Sequence, residues 1–316
     1  MIIYKAFAFA LLLAVAILNG FTDAPNAIAG AISSGTVSRK NGALISGIMN
    51  FLGALAFSLL GGRVAESIFE SVRIDTGRLG AIVVCSSLLT VVIFATLAWL
   101  ASMPSSESHA LFFALLGASL AVYGGRVGTR GAVLYLFYML FSCLFGYFLA
   151  YFISKLLKNR TLPSKKLQIL ALLGASLMHG AQDGQKLLSM LIFIAGTKGN
   201  EILTKHILII SSAMLIGTAL GGGKIVLTLS DNLAEPDTRS ALFSDFGSIF
   251  TLIVCSLLGM PVSSSNIKAS ALIGSSHALS HKTNVKTTTK IFLVSFLTIP
   301  VCFLLGYLLA LILLKL

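Results

Sequence analysis

Long apolar runs separated by short charged connectors dominate this chain. About ten of them approach the twenty or so residues that a helix needs to cross a bilayer. They lie near 4–35, 41–61, 79–101, 106–124, 131–155, 167–197, 204–222, 239–258, 262–280 and 291–314. The pattern predicts an all-α polytopic membrane protein. Two runs, 4–35 and 167–197, are too long. As straight helices each would exceed about 45 Å at about 1.5 Å per residue, against a hydrocarbon core of about 30 Å. Both carry a polar stripe: Asn19, Thr22, Asp23 and Asn26 in the first, His179, Gln182, Asp183 and Lys186 in the second. Each stripe has the i, i+3, i+4, i+7 spacing that shares one helix face. Gly20 and Pro25 interrupt the first run, and Gly180 and Gly184 the second. Both are therefore expected to be broken helices.

The stripes form a repeat, since Asp23 and Asp183, like Asn26 and Lys186, stand 160 residues apart. A second repeat follows. Met103-Pro104-Ser105-Ser106-Glu107-Ser108-His109 matches Met260-Pro261-Val262-Ser263-Ser264-Ser265-Asn266 at an offset of 157. Ten crossings split into five and five, and an odd number per half turns the halves over relative to one another. The expected organisation is two inverted repeats, 1–157 and 167–316, joined by a basic cytoplasmic linker at 158–166. The excess of Lys and Arg on alternate connectors places the N-terminus outside. Each serine turn is either a surface loop or the tip of a re-entrant hairpin, and the sequence leaves the two open. Segments 62–78 and 223–238, mixed in charge, are expected along the membrane surface.

Composition agrees: 56% of residues are hydrophobic, 11% are charged, and the mean hydropathy is +0.95. Soluble domains carry about 25% charged residues. The net charge of +12 reflects basic residues in connectors rather than a nucleic-acid partner. Cys85, Cys143, Cys255 and Cys302 stand singly in apolar runs, which argues against disulfides and thiolate metal sites. The apolar start leads straight into the polar stripe with Lys5 as its only charge, so it reads as a span rather than a signal peptide. Gly53, Gly117, Gly217 and Gly274 read as helix-packing positions.

Carboxylates within apolar runs are expensive and point to ions or substrates. Neutral donors suit a tetrahedral oxyanion, and the candidates are Thr22, Asn26, Ser105, Ser106, Gln182, Ser263, Ser264 and Ser265. Asp23 and Asp183 repel an anion. With Glu107, Asn26, Ser108 and Asn266 they suit a hard cation with oxygen ligands. The motifs therefore predict an anion carried together with cations, which offset about 2.3 kcal/mol per charge per 100 mV of membrane potential. Asn19 and His109 are lesser candidates. Lys186 either neutralises Asp183 or stands permanently where a cation would bind, and both readings stay open. Lys268 reads as a structural, snorkelling side chain. An embedded enzyme is disfavoured, because His179 and Asp183 have no Ser or Cys nucleophile placed with them. A passive anion channel is the third class.

The linked motifs resemble the inorganic phosphate transporter (PiT) family, whose signature is similar to G-x-N-D-x-x-N-A once per half with a P-[ST]-S-[ST]-x-H turn after it. Gly20 to Ala27 and His179 to Lys186 look like the two signatures, and Pro104 to His109 and Pro261 to Asn266 like the turns. The resemblance implies a homodimeric multi-pass protein of the cell membrane, in a bacterial or archaeal inner membrane. It would import inorganic phosphate with sodium or protons, and its only bound ions would be co-transported sodium. Thr22 and Gln182 stand where the family commonly has asparagine. Glu107 stands where serine or threonine is common, and Asn266 replaces a histidine. Proton coupling or sulfate as cargo is the alternative within the same fold.

Overall fold

The computed structural model describes residues 2–22, 25–72, 74–75, 77–101, 103, 105–124, 129–160, 164–195, 200–221, 238–281 and 285–316. Among these residues the chain is helical, without strands. The first half forms α1 (Ile2–Thr22), α2 (Pro25–Ser33), α3 (Arg39–Leu59), α4 (Arg63–Ser71), α5 (Arg78–Leu100), α6 (Glu107–Tyr123) and α7 (Thr129–Leu157). The second forms α8 (Lys165–Ala195), α9 (Asn200–Leu220), α10 (Thr238–Leu257), α11 (Ser264–Ala278) and α12 (Val285–Lys315).

Six stretches among the described residues are long and apolar enough to cross a membrane: Ile3–Ser33, Arg39–Leu59, Arg78–Leu100, Arg130–Leu157, Thr238–Leu257 and Thr289–Lys315. The expected count was about ten spans. The helix α6 and the stretch Thr204–Leu220 of α9 are apolar but shorter, and α11 has 15 residues, about 22 Å at the helical rise. Two helices expose long apolar stripes. In α7, Val133, Phe137, Leu140, Leu144, Phe148 and Phe152 are exposed at intervals of three and four. In α12, Leu293, Leu297, Val301, Leu304, Leu308 and Ile312 repeat the pattern. In spanning helices such stripes face lipid, while small residues on the opposite face let neighbours close in.

Helix pairing interleaves the two halves. The helix α3 packs on α8, and α1 packs on α9; α6 packs on α12, and α11 on α7; α3 and α9 meet each other. Glycines set the closeness of these pairs. A Cβ at Gly53 would lie 2.0 Å from the Leu177 carbonyl oxygen, and one at Gly217 would lie 2.0 Å from that of Ile17. At Gly117 it would meet the Phe303 carbonyl at 2.0 Å, and at Gly274 that of Tyr147 at 2.1 Å. All four are packing positions, as the sequence predicts.

One expectation fails. The run 167–197 is not broken: α8 is a single helix of 31 residues through Gly180 and Gly184. Glycine weakens a helix interior by only about 1 kcal/mol relative to alanine. Here both glycines serve close contact instead. A Cβ on Gly180 would lie 2.2 Å from the Asn50 carbonyl oxygen, and one on Gly184 would lie 2.5 Å from the Ala54 Cβ. In the first run, α1 ends at Thr22 and α2 begins at Pro25. The residues of the expected interruption, Asp23 and Ala24, lie outside the described residues.

The segment after α3 does form a helix. Val64, Ala65 and Ile68 of α4 are buried, and the Val64 N–H donates to Gln185 Oε1 at 3.1 Å, tying its first turn to α8. Its expected counterpart at 223–238 lies, up to residue 237, outside the described residues. The four cysteines are unpaired.

Candidate functional site

The polar stripe of α8 runs through the interior of the protein. His179, Gln182, Asp183 and Lys186 are 3%, 0%, 2% and 4% exposed. The glycines that bring α3 against α8 leave this stripe facing α1 and the two serine turns. Asn19, on α1, donates from Nδ2 to Asp183 Oδ2 at 2.9 Å. The two polar stripes therefore touch directly, although they are far apart in sequence.

Lys186 ties the remaining elements together. Its ammonium donates to Asp183 Oδ1 at 2.5 Å, to Ser108 Oγ at 2.5 Å and to the Val262 carbonyl at 2.6 Å. Ser108 lies in the first turn of α6, and Val262 lies in the turn before α11. His179 Nδ1 is 3.2 Å from Ser264 Oγ and 3.5 Å from Asp183 Oδ2. Glu107 is buried and accepts a hydrogen bond from the Thr22 hydroxyl. Asn19, Glu107, Ser108, Asp183 and Lys186 line one small cavity, walled on its other sides by Val15, Val91, Leu111 and Leu187.

The serine turns are not surface loops. Ser106 Oγ donates to Ser263 Oγ at 2.9 Å, and both residues are buried. Each also caps its helix: Ser106 Oγ accepts from the His109 N–H and Ser263 Oγ from the Asn266 N–H, both at 3.4 Å. The first turns of α6 and α11 thus meet inside the protein.

The structure accordingly gathers Asn19, Thr22, Glu107, Ser108, His179, Asp183, Lys186 and Ser264, with Ser106 and Ser263 bonded to each other. Ser265 is buried in the first turn of α11, and Ser105 is half-buried. Gln182 turns to Ser256 Oγ at 3.0 Å and to the Met260 carbonyl at 3.4 Å, at the base of the second turn. Asn266 accepts from Ser295 Oγ at 2.8 Å, a partner on α12. His109 packs edge-on to Tyr135, with ring centroids 5.9 Å apart, inside an aromatic cluster. Asp23, Pro104 and the side chain of Asn26 lie outside the described residues.

Two residues play larger parts than the sequence suggested. Lys268, expected to snorkel, is ion-paired with Asp245 and donates to Ser244 Oγ at 3.1 Å. Asp245 was not singled out, although a lone carboxylate in the apolar run 239–258 is the same signal that marked Asp23 and Asp183. The pair lines a second cavity together with His179, Ser248 and Ser264. Chemically, the region offers buried carboxylates for cations, and hydroxyls and two helix starts for an anion.

Comparison with known proteins bears on this arrangement. A family model described as the phosphate transporter family matches residues 19–166 and, a second time, residues 158–306. A probable low-affinity inorganic phosphate transporter from Bacillus subtilis (strain 168) is 26% identical over 311 residues, covering 93% of this chain and 92% of that protein. A protein of the same description from Rhizobium meliloti (strain 1021) is 29% identical, covering 81% and 80%. A solved structure titled "The sodium-dependent phosphate transporter" shares the fold, with a TM-score of 0.86 at 18% identity over 99% of both chains. The two family matches take in both signatures and both serine turns, and the chain belongs to the phosphate transporter family, as a multi-pass protein of the cell membrane and not an enzyme.

Proposed function

We propose that this chain imports inorganic phosphate by secondary active transport, driven by a co-transported cation, with sodium as the first candidate. One observation carries the reading: two helix starts, at Ser106 and Ser263, meet with their hydroxyls 2.9 Å apart beside the buried carboxylates Glu107 and Asp183. Each helix N-terminus carries the equivalent of about half a positive charge, so two of them together favour an anion. The carboxylates beside them repel that anion unless a cation lies between. Such a site takes up phosphate and cation together, and neither binds well alone.

The matched helix pairs and the doubled family match support two inverted repeats, 1–157 and 167–316. Alternating access then comes from rocking of the motif-bearing helices against the rest. Sodium is supported by the printed name of the structural neighbour and by the buried Glu107 carboxylate, whose donors are oxygens. The test is phosphate uptake into proteoliposomes with sodium and proton gradients imposed separately. Accumulation driven by inward sodium alone supports the reading. Equilibration without accumulation under either gradient indicates a passive pore and sinks it.

Glu107 favours a second reading, proton coupling. Its Oε2 is buried and has no hydrogen-bond partner among the described residues. A carboxyl that takes up and releases a proton with each cycle would suit this place. Glu107→Gln then flattens the pH profile of uptake. Under sodium coupling alone, the substitution lowers the rate but leaves the shape of the profile unchanged.

A further inference from the structure

We propose that the Lys186 ammonium is a resident cation, filling an oxygen-lined site beside Asp183 that opens to a sodium ion when the ammonium is removed. The inference deepens the cation-coupled reading and rests on it for its meaning in transport.

The donor set comes first. Three oxygens of different kinds surround Nζ, from three separate elements: the Asp183 carboxylate on α8, the Ser108 hydroxyl on α6 and the Val262 backbone carbonyl before α11. Carboxylate, hydroxyl and carbonyl together are the ligands of a hard cation. All three oxygens are in direct contact with Nζ, at 2.5, 2.5 and 2.6 Å. Each of the three ammonium N–H donors has one oxygen acceptor, so removing the ammonium leaves three oxygens converging on one point. Here a hydroxyl and a main-chain carbonyl from two other elements converge on the same point.

Burial and comparison add to this. Lys186 is 4% exposed, so its charge does not reach water, unlike a snorkelling lysine. At the matching place in the first signature the sequence has Asn26, which carries no charge. The cavity lined by Asn19, Glu107, Ser108, Asp183 and Lys186 has a counterpart lined by His179, Asp245, Ser248, Ser264 and Lys268. The first holds its own ammonium on the signature helix. Near the second, the lysine comes from α11 and is paired with Asp245. The two signatures thus differ in charge at this place, with Lys186 in one and the neutral Asn26 in the other. The consequence for transport is one fewer exchangeable cation per cycle. Each cation moved inward through 100 mV multiplies the attainable phosphate gradient by about fifty-fold, and the chain forgoes one such factor.

The test uses the purified full chain in detergent, without phosphate and without transport. Thermal unfolding of the wild type, Lys186→Ala and Lys186→Asn is followed while sodium chloride replaces choline chloride at constant ionic strength. The expected result is a saturable sodium-dependent rise in Tm for both variants, several degrees beyond any rise in the wild type. Asp183→Asn combined with Lys186→Met removes both charges and is expected to lose that extra response. A sodium titration of Lys186→Ala that superimposes on the wild type overturns the proposal, as does an undiminished response in the double variant. If both single variants are unfolded in sodium as well as in choline, Lys186 is a counter-charge that sodium cannot replace, and the proposal is likewise overturned. A protein that moves phosphate but whose Lys186→Ala form ignores sodium contradicts only this inference. One whose Lys186→Ala form responds to sodium but moves no phosphate contradicts only the transport reading.

Discussion

Asp183→Asn brings cation-driven phosphate uptake into proteoliposomes down to the level of protein-free vesicles. The carboxylate is where the two polar stripes join: it accepts from Asn19, lies 3.5 Å from His179 and holds Lys186. An amide of the same shape keeps the volume but loses the charge that a co-transported cation or the Lys186 ammonium needs. It also leaves a buried ammonium without its partner, which costs about 3–5 kcal/mol. Loss of uptake alone would therefore not separate function from folding. Adding Lys186→Met restores neutrality, so the double variant should recover most of the lost thermal stability in detergent while remaining inactive. Uptake by Asp183→Asn at the wild-type rate would remove Asp183 from the site.

Gly53→Ala abolishes the monodisperse protein peak in size-exclusion chromatography. The added methyl would sit 2.0 Å from the Leu177 carbonyl oxygen and 2.9 Å from the Ala181 nitrogen. Both are backbone atoms of α8, so no side chain can turn aside, and α3 has to move off the helix that carries the site. In a spanning bundle, close packing of this kind replaces the hydrophobic drive that water supplies elsewhere. Gly77→Ala is the control. Its Cβ would meet nothing within 4 Å, its φ of −82° suits any residue, and its elution profile should be unchanged.

Much of this was legible in the sequence for definite reasons. Duplicated stripes at one spacing place Asp183, Lys186 and Asn19 on facing surfaces, because helical periodicity and charge within apolar runs are both readable locally. The packing roles of Gly53, Gly117, Gly217 and Gly274 were readable for the same reason. The continuity of α8 was not. Gly180 and Gly184 look the same in a list of residues whether they break a helix or admit a neighbour, and only the position of Asn50 and Ala54 decides between the two. The burial of the serine turns was equally hidden, since the Ser106–Ser263 bond joins residues 157 positions apart. Asp245 has no acidic counterpart at the repeat offset in the first half, so the doubled motifs do not point to it.

The glycine contacts carry one more consequence. Backbone-to-backbone approaches at Gly20, Gly53, Gly180 and Gly217 fall within a quartet, α1, α3, α8 and α9. Those at Gly117, Gly247, Gly274 and Gly306 fall within a quintet, α6, α7, α10, α11 and α12. No described glycine makes such an approach from one set to the other. Across that boundary run the side-chain bonds of Thr22 to Glu107, Lys186 to Ser108, His179 to Ser264 and Gln182 to Ser256. The two sets are mortised internally, while side-chain contacts alone, polar ones and apolar ones such as Ile249 over Gly174, join them across the seam. Disulfides engineered within the quartet or within the quintet should leave turnover intact. One stitched from α8 to α10 should stop it until a reductant is added.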